Sequence, residues 1–150
     1  QPPARQRRFK VSFNSAAADA GRLAGAVNRR LRDAGLPFRC LASIDPFAGH
    51  GLLDVLPAGA SKAAALLWLA SHAGFLPDEV VFAGDSGNDL AALTCGFRAI
   101  VVANAPAELA RTVKATLARR GMAARFFHAP RPATSGVLDG ARHFGLIPPP

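Results

Sequence analysis

The sequence contains few cysteines and no long apolar run, and these two absences exclude several classes of protein. Cys40 and Cys95 are its only cysteines, and neither has a second thiol or a histidine at the spacing of a metal site. We therefore expect both thiols to be reduced, as is usual in the cytosol. Nowhere do about 18 apolar residues follow one another without a charge, so the sequence predicts no membrane-spanning helix.

The first eight residues have the form of neither a signal peptide nor a protein start. Arg5, Arg7 and Arg8 are not followed by an apolar run, which a secretory signal would need. The sequence begins with glutamine rather than methionine, so we expect it to be part of a longer protein. Half of its 150 residues are apolar, which is enough to form a folded core.

Acidic residues are scarce: Asp and Glu number 10 against 18 Lys and Arg, which gives a net charge of +8. The basic residues gather in three places, at Arg5, Arg7, Arg8 and Lys10, at Arg29, Arg30 and Arg32, and at Arg119, Arg120 and Arg125. A basic surface can bind nucleic acid, but eight of these ten side chains are scattered along predicted helix or strand faces without exposed aromatic residues between them. We prefer a solvated, arginine-rich surface that would also attract a phosphorylated substrate, and we expect neither nucleic acid nor membrane as a partner.

The first part of the chain predicts a β-α-β-β unit with antiparallel strands. Residues 9–14 alternate apolar and polar side chains, as a half-buried strand does. An amphipathic helix is predicted over 19–34, and Gly35 ends it. Two further strands are predicted at 38–44 and 51–56, joined by a hairpin loop that contains Asp, Pro and Gly.

After Pro57 the pattern changes to helices that alternate with short, continuously apolar strands. This order predicts an α/β fold, with a parallel sheet covered by helices on both faces. Trp68 is expected in the core, on the packing face of the first of these helices. We place a boundary near residues 56–60 and expect two parts, 1–56 and 57–150. The predicted helices are 61–73, 89–94, 106–120 and 134–144, and the predicted strands are 80–85, 97–104 and 123–128.

Two aspartates follow the first of these apolar strands, in the sequence VVFAGDSGND. Asp85 ends the strand, and Asp89 opens the next helix with Asn88 beside it. Open parallel sheets bind ligands at their carboxyl edge, and two carboxylates that meet there repel each other unless a cation lies between them. Mg²⁺ prefers a few carboxylates together with water and phosphate oxygens. The spacing therefore predicts a magnesium site, with Gly84 and Gly87 allowing a tight turn.

Asp85 and Asp89 also have a purely structural interpretation, because aspartate is common in turns and at helix starts. The position of Lys62 favours a catalytic interpretation of these aspartates instead. A lysine in the first turn of a helix opposes the helix dipole, whereas it could hold a phosphoryl group or a carboxylate. Asn104 is a candidate substrate-binding residue, because it ends the next apolar strand, in VVANA, at the same edge of the sheet.

These motifs together resemble the haloacid dehalogenase (HAD) superfamily of phosphatases: GDSGND, the lysine in LPAGASKAAAL, and VVANAPAEL. KVSF at residues 10–13 and ATSGVLDGARHFG at 133–145 resemble its sucrose-phosphate phosphatase branch. The resemblance covers residues 9–145. It implies a Rossmann-like core, partly present in 57–150, preceded by part of an α+β cap domain in 1–56.

The resemblance implies that a sugar phosphate, such as sucrose 6-phosphate or a similar glycosyl phosphate, is hydrolysed through an aspartyl-phosphate with Mg²⁺ as cofactor. Asp85 would bind Mg²⁺, and Asp89 would assist directly or through water. Lys62 would neutralise charge between the nucleophile and the phosphoryl group. Asn88, and with it Ser86, would orient these groups through hydrogen bonds.

Lys10 and Ser12 are candidate sugar contacts in the cap. The polar face of any amphipathic strand would show the same alternation, so the alternation alone leaves both interpretations open.

The chain departs from the superfamily in one large respect: no D-x-D-x-T motif, which supplies the attacking aspartate and the acid, occurs in its 150 residues. The second motif, a Ser or Thr that ends another strand, is also missing, and Ala63 replaces the usual glycine after the lysine. We expect roughly a hundred residues upstream of Gln1, including the central strand. The chain alone is then expected to be inactive, and its open edges and apolar faces would need that segment or another subunit to cover them.

A non-catalytic alternative also explains the missing motif. The chain could be a phosphatase-like domain that serves regulation or assembly beside a sugar-phosphate synthase. An in-frame D-x-D-x-T upstream would favour the enzyme, and its absence would favour the non-catalytic domain.

Overall fold

A computed structural model of the chain describes residues 2–3, 6, 8–45 and 47–148. Two basic residues discussed above, Arg5 and Arg7, lie outside the described residues. The chain forms two compact units, the first ending at Ala60 and the second beginning at Ser61. Each unit is built around its own sheet.

The first unit is an antiparallel sheet of three strands with one helix. Its elements follow in the predicted β-α-β-β order: β1 (Val11–Ser15), α1 (Ala20–Asp33), β2 (Phe38–Ile44) and β3 (Gly51–Pro57). The last strand is central and pairs with both others. The helix packs on the sheet through Ala20, Ala24, Cys40 and Leu53. Asn28 fastens it to the edge strand, since its amide group bonds both the N–H and the carbonyl of Cys40 at 2.8 Å.

The second unit is a parallel sheet in the order β4-β5-β6, as the alternation of helices and strands predicted. Its strands are short. A 3₁₀ turn at Gly87–Asp89 includes the residue at which a helix was predicted to begin, and a second one at Ala123–Arg125 replaces the first half of the strand predicted over 123–128. Its elements are α2 (Lys62–Ala73), β4 (Val81–Gly84), α3 (Leu90–Leu93), β5 (Arg98–Val101), α4 (Ala107–Arg119), β6 (Phe126–His128) and α5 (Ala133–His143).

Helices cover both faces of this sheet, which confirms the predicted layering. Successive side chains of β5 point to opposite faces. Ala99 and Val101 join a core that includes Leu93 of α3 and Val113 of α4. Ile100 lies on the other face, where its side chain meets Gly140 of α5.

Two details of the second unit differ from the sequence prediction. Asn104 does not end a strand, because β5 stops at Val101 and Asn104 lies in the turn that follows. Trp68 is 65% exposed rather than buried, and of the α2 residues only Ala70 is buried. Apolar residues lie on all sides of α2, so its sequence pattern does not specify which face packs.

Among the described residues, no helix is both long and apolar enough to cross a membrane. Cys40 and Cys95 are free thiols, and Cys40 is buried. The cytosolic location stays a prediction.

Candidate active site

The loop after β4 folds around the carboxylate of Asp89. Ser86 caps the 3₁₀ turn that follows, and the Asp89 side chain reaches back to the backbone of Ser86 in a capping box. Asp89 Oδ2 accepts hydrogen bonds from the backbone N–H groups of Asp85 and Ser86, both at 3.2 Å, and lies 3.0 Å from Ser86 Oγ. The carboxylate therefore holds the whole loop in one conformation.

Gly84 makes this close approach possible. A Cβ at position 84 would lie 2.7 Å from Cβ and 2.9 Å from Cγ of Asp89. Real Cβ atoms do not approach other atoms so closely, so only glycine lets the end of β4 lie against the aspartate.

Lys62 is brought to the same loop from the start of α2. Ser61 caps that helix, its Oγ accepting the N–H of Ala64 at 2.9 Å. The first-turn lysine then donates from Nζ to Asp89 Oδ1 at 2.5 Å and to Asn88 Oδ1 at 2.9 Å. The predicted neighbourhood of Lys62, Asn88 and Asp89 is thus present in the structure.

The charges of this pair are unevenly exposed. Asp89 is 4% exposed, whereas the Lys62 side chain is about half exposed. Burial raises the pKa of the Asp89 carboxyl. The hydrogen bonds from Lys62, Ser86 and the Asp85 amide, together with the charge of Lys62, lower the pKa by more than burial raises it. The pKa of Asp89 therefore lies below its usual value of 3.8. Asp89 is therefore ionised at neutral pH, and the ammonium group of Lys62 balances it.

Asp85 is exposed and directly follows the last residue of β4. Its Oδ2 accepts a hydrogen bond from Nδ2 of Asn104 at 3.2 Å. Asn104 Oδ1 accepts the backbone N–H of Ala133, at the start of α5, at 2.7 Å. Asn104 thus connects the loop to α5.

A cleft of about 380 Å³ collects these groups. Lys62, Asp85 and Asp89 supply its polar side, and the remaining wall is mostly apolar or backbone. Those other lining residues are Phe82, Ala83, Gly84, Val102, Ala133 and Val137. One cation and two carboxylates in a shared cleft suit a phosphate with a divalent ion.

The donor set fits Mg²⁺ only as a partial site. Among the described residues, no three His, Cys, Asp or Glu side chains are grouped to hold a metal. Mg²⁺ does not require such a cage, because it keeps several waters and binds one or two carboxylates with substrate phosphate. Asp85 has the accessible carboxylate, while both oxygens of Asp89 already accept hydrogen bonds.

Lys10 and Ser12 belong to the first unit and share one partner that the sequence analysis missed, Asp54. Ser12 Oγ donates to Asp54 Oδ1 at 2.5 Å, and Lys10 Nζ donates to Asp54 Oδ2 at 3.2 Å. Ser12 is only 2% exposed. Asp54 interrupts the apolar stretch of β3 and pairs with Ser12 across the strands, a signal that strand register would have revealed. A sugar-binding role for Lys10 and Ser12 stays a prediction.

Solved structures place this fold in a known class. A sucrose-phosphatase from Synechocystis in complex with sucrose and phosphate superposes with a TM-score of 0.68 at 23% identity, covering 97% of this chain and 55% of the other. A phosphatase of the HAD superfamily from Bacteroides thetaiotaomicron gives a TM-score of 0.63 at 19% identity, covering 96% of this chain and 44% of the other. The chain has the fold of the HAD superfamily.

The sequence defines the family within that class. The family model for sucrose-6F-phosphate phosphohydrolase matches residues 1–145, and the chain belongs to this family. The mannosylfructose-phosphate phosphatase of Agrobacterium fabrum is 37% identical over 144 residues, which are 95% of this chain and 53% of that protein. The chain thus spans about half the length of this relative.

Proposed function

We propose that this chain is the lysine- and metal-binding part of a Mg²⁺-dependent phosphatase that hydrolyses a glycosyl phosphate. The observation that carries the proposal is the convergence of Lys62, Asp85 and Asp89 on one cleft. Two of these groups are joined by a 2.5 Å hydrogen bond although 27 positions separate them in the sequence. Neither turn formation nor helix capping alone requires that lysine.

Each group has one role in the proposed reaction. The exposed carboxylate of Asp85 would hold Mg²⁺, which when bound supplies positive charge to the oxygens of the transferring phosphoryl group. The ammonium group of Lys62 would contact the same phosphoryl group and the attacking carboxylate. Asn88, Ser86 and Asp89 would orient Lys62 and the loop through hydrogen bonds, among them one from Ser86 Oγ to Asn88 Oδ1 at 2.9 Å.

The attacking aspartate would come from outside these 150 residues, because no D-x-D-x-T motif occurs in them. Its carboxylate would form a bond to phosphorus as the bond to the sugar oxygen breaks, and a second acid would protonate that oxygen. Water would then hydrolyse the acyl phosphate, releasing inorganic phosphate and restoring the carboxylate. Lys62 can stabilise the negative charge that gathers on the phosphoryl oxygens in both steps.

The family supports a sugar phosphate as substrate. Its description specifies sucrose 6F-phosphate, and the Agrobacterium relative is described as acting on mannosylfructose phosphate. Sucrose 6-phosphate or a similar glycosyl phosphate is therefore the substrate class to test. Lys10 and Asp54, whose side chains are partly exposed, are the proposed contacts for the sugar in the first unit, and the buried Ser12 would hold Asp54 for them through its hydrogen bond.

Phosphate release by the complete gene product tests this proposal. The wild-type protein, supplied with Mg²⁺, is expected to release phosphate from sucrose 6-phosphate or from another phosphate in a panel of glycosyl phosphates. Lys62→Ala is expected to lower kcat about 100-fold or more, because its charge acts on the phosphoryl group. Lys114→Ala, which removes an exposed lysine on α4, is the matched control and is expected to keep wild-type turnover. The 150-residue chain alone is expected to release none.

Two results would contradict the proposal. Full turnover by Lys62→Ala would remove the lysine from the mechanism. Absence of turnover on the whole panel by a correctly folded gene product would favour the non-catalytic domain instead.

A further inference from the structure

The contacts of Asn104 in the structure differ from those expected of the substrate-binding residue predicted from the sequence. As a candidate substrate contact it would present its amide group to the phosphate or sugar. In the structure both ends of that amide are engaged with the protein, Nδ2 with Asp85 and Oδ1 with Ala133. We infer that Asn104 is a positioning residue that fixes the Asp85 carboxylate for metal binding, an inference that rests on the proposed function.

The chemistry of the two partners determines which way the amide faces. A backbone N–H such as that of Ala133 can only donate, so it requires the oxygen of Asn104. Asp85 Oδ2 accepts the hydrogen bond on the other side, so it requires the nitrogen of Asn104. The side chain therefore has one orientation that satisfies both partners, and in that orientation it holds one oxygen of Asp85.

The far end of this bridge is itself firmly placed. Ala133 has φ of +46°, a conformation that residues other than glycine rarely adopt. Its N–H is one of the donors at the start of α5 without a partner in the helix, and no side-chain cap is formed by Pro132. Asn104 Oδ1 satisfies this donor. Beside it, the N–H of Ala103 bonds the carbonyl of Arg131 at 3.1 Å.

The bridge therefore anchors Asp85 to a wall of its own cleft. Ala133 and Asp85 both line that cleft. Without this hydrogen bond the exposed Asp85 side chain would be freer to rotate, and a metal would have to order it on binding. Groups that hold a metal ligand through a hydrogen bond generally raise metal affinity in this way.

A titration of the complete gene product with Mn²⁺ alone, monitored by electron paramagnetic resonance, distinguishes a positioning role of Asn104 from a substrate contact. Asn104→Ala is expected to raise the Kd for Mn²⁺ about 10-fold or more, within the usual effect of removing a partner of a metal ligand. In an Asp85→Asn background the same substitution is expected to add no further loss. With saturating Mg²⁺, the KM of Asn104→Ala for the sugar phosphate is expected to stay within about threefold of wild type, because the amide is not a substrate contact.

The possible outcomes test the role of Asn104 separately from the proposed function. A wild-type Kd for Mn²⁺ in Asn104→Ala, while Asp85→Asn weakens binding, overturns the positioning role and leaves the function standing. A raised KM at saturating Mg²⁺ with unchanged Mn²⁺ affinity likewise overturns it in favour of substrate contact. Unchanged Mn²⁺ affinity in Asp85→Asn overturns the metal site of the proposed function itself. Should Asn104→Ala lose cooperative unfolding, Asn104→Ser, too short to bridge both partners, replaces it with the same expected Kd change.

Discussion

At the scale of single residues, Asp89 shows how the site maintains a charge in a buried position. An isolated buried carboxylate would take up a proton, yet the pKa of Asp89 lies below its usual value. The reason is that Lys62, Ser86 and the amide of Asp85 all donate to it. The charged form is therefore the one that stabilises the fold.

A stability prediction follows from the sign of this shift. Because the folded-state pKa is lower than the unfolded one, the contribution of Asp89 is fully present above about pH 4 and is lost as the pH falls through the folded-state pKa. Asp89→Asn, which resembles the protonated acid, is expected to lower the free energy of unfolding by about 1–3 kcal/mol at neutral pH. The difference from wild type should shrink below about pH 4. Urea unfolding of the complete gene product, from neutral pH to below about pH 4, measures this difference in unfolding free energy.

The control is Asp19→Asn, which alters an exposed ion pair with Arg22. Such pairs contribute about 0–1 kcal/mol, so its effect at neutral pH should be much smaller. An Asp89→Asn variant as stable as wild type at neutral pH would show that the loop does not depend on this carboxylate.

The sequence predicted which residues meet at this site but not how they are bonded. Asp85 and Asp89 were expected together because open parallel sheets bind ligands at their carboxyl edge. Lys62 was expected beside them because a lysine opposes the helix dipole in the first turn of a helix, and because the resemblance to HAD phosphatases implies it. The bridge through Asn104 could not be predicted, because its partner is a backbone N–H of Ala133 and depends on an unusual backbone angle. Asp54 was missed because apolar periodicity does not determine which residues pair across antiparallel strands.

At the scale of elements, α5 lies on the sheet through a glycine contact. A Cβ at Gly140 would lie 2.3–2.9 Å from side-chain carbons of Ile100, which is fully buried. The adjacent turn is similarly tight, since a Cβ at Gly136 would lie 2.2 Å from the carbonyl oxygen of Arg131. Small residues on one face of α5 thus let it approach β5 and place Ala133 at the cleft.

Gly140→Ala is therefore expected to destabilise the second unit, although alanine favours helices. The added methyl group overpacks a filled core and should cost about 1–3 kcal/mol of unfolding free energy. The matched control is Gly21→Ala in α1, where a Cβ meets nothing within 4 Å. That change is expected to stabilise by about 0.5–1 kcal/mol through helix propensity alone. Thermal or urea unfolding of the two variants decides, and an equal gain in both would show that α5 does not pack this closely.

The order and type of the elements were predicted well because apolar periodicity and turn residues agree along the chain. The bounds of β2 match at Phe38–Ile44, since glycine and proline mark both sides. Strand β5 was predicted too long, because the apolar residues after Val101 continue beyond the ladder. The predicted burial of Trp68 was wrong for a different reason. Helix α2 is apolar on all sides, so its sequence does not show which face packs on the sheet.

At the scale of the whole molecule, the second unit exposes several large apolar side chains. They belong to α2 and the segment after it: Leu67, Trp68, Leu69, Phe75 and Leu76. Within the described residues, β4 also pairs with a strand on one side only. Exposed apolar side chains and open edges of this kind favour association, so the expectation that another segment or subunit covers them stays a prediction.

The proposed catalytic residues and the proposed sugar-binding residues belong to different units. The second contains the cleft with Lys62, Asp85 and Asp89, and the first contains Lys10, Ser12 and Asp54. In the proposed enzyme the second unit would act on the phosphate, and the first would recognise the sugar. Chemistry and specificity would then reside in different sheets.

The central claim is that Asp85 holds a divalent ion against the phosphate of the substrate. Its most direct test is a Mg²⁺ titration of phosphate release by the complete gene product and its Asp85→Asn variant, after removal of metal with a chelator. We expect no release without metal and full recovery of the wild type with Mg²⁺. We expect kcat/KM to be about 100-fold lower or more in Asp85→Asn at every Mg²⁺ concentration, since a metal contributes several kcal/mol to the transition state. Turnover in the chelator, or an Asp85→Asn variant as active as wild type, would contradict the claim.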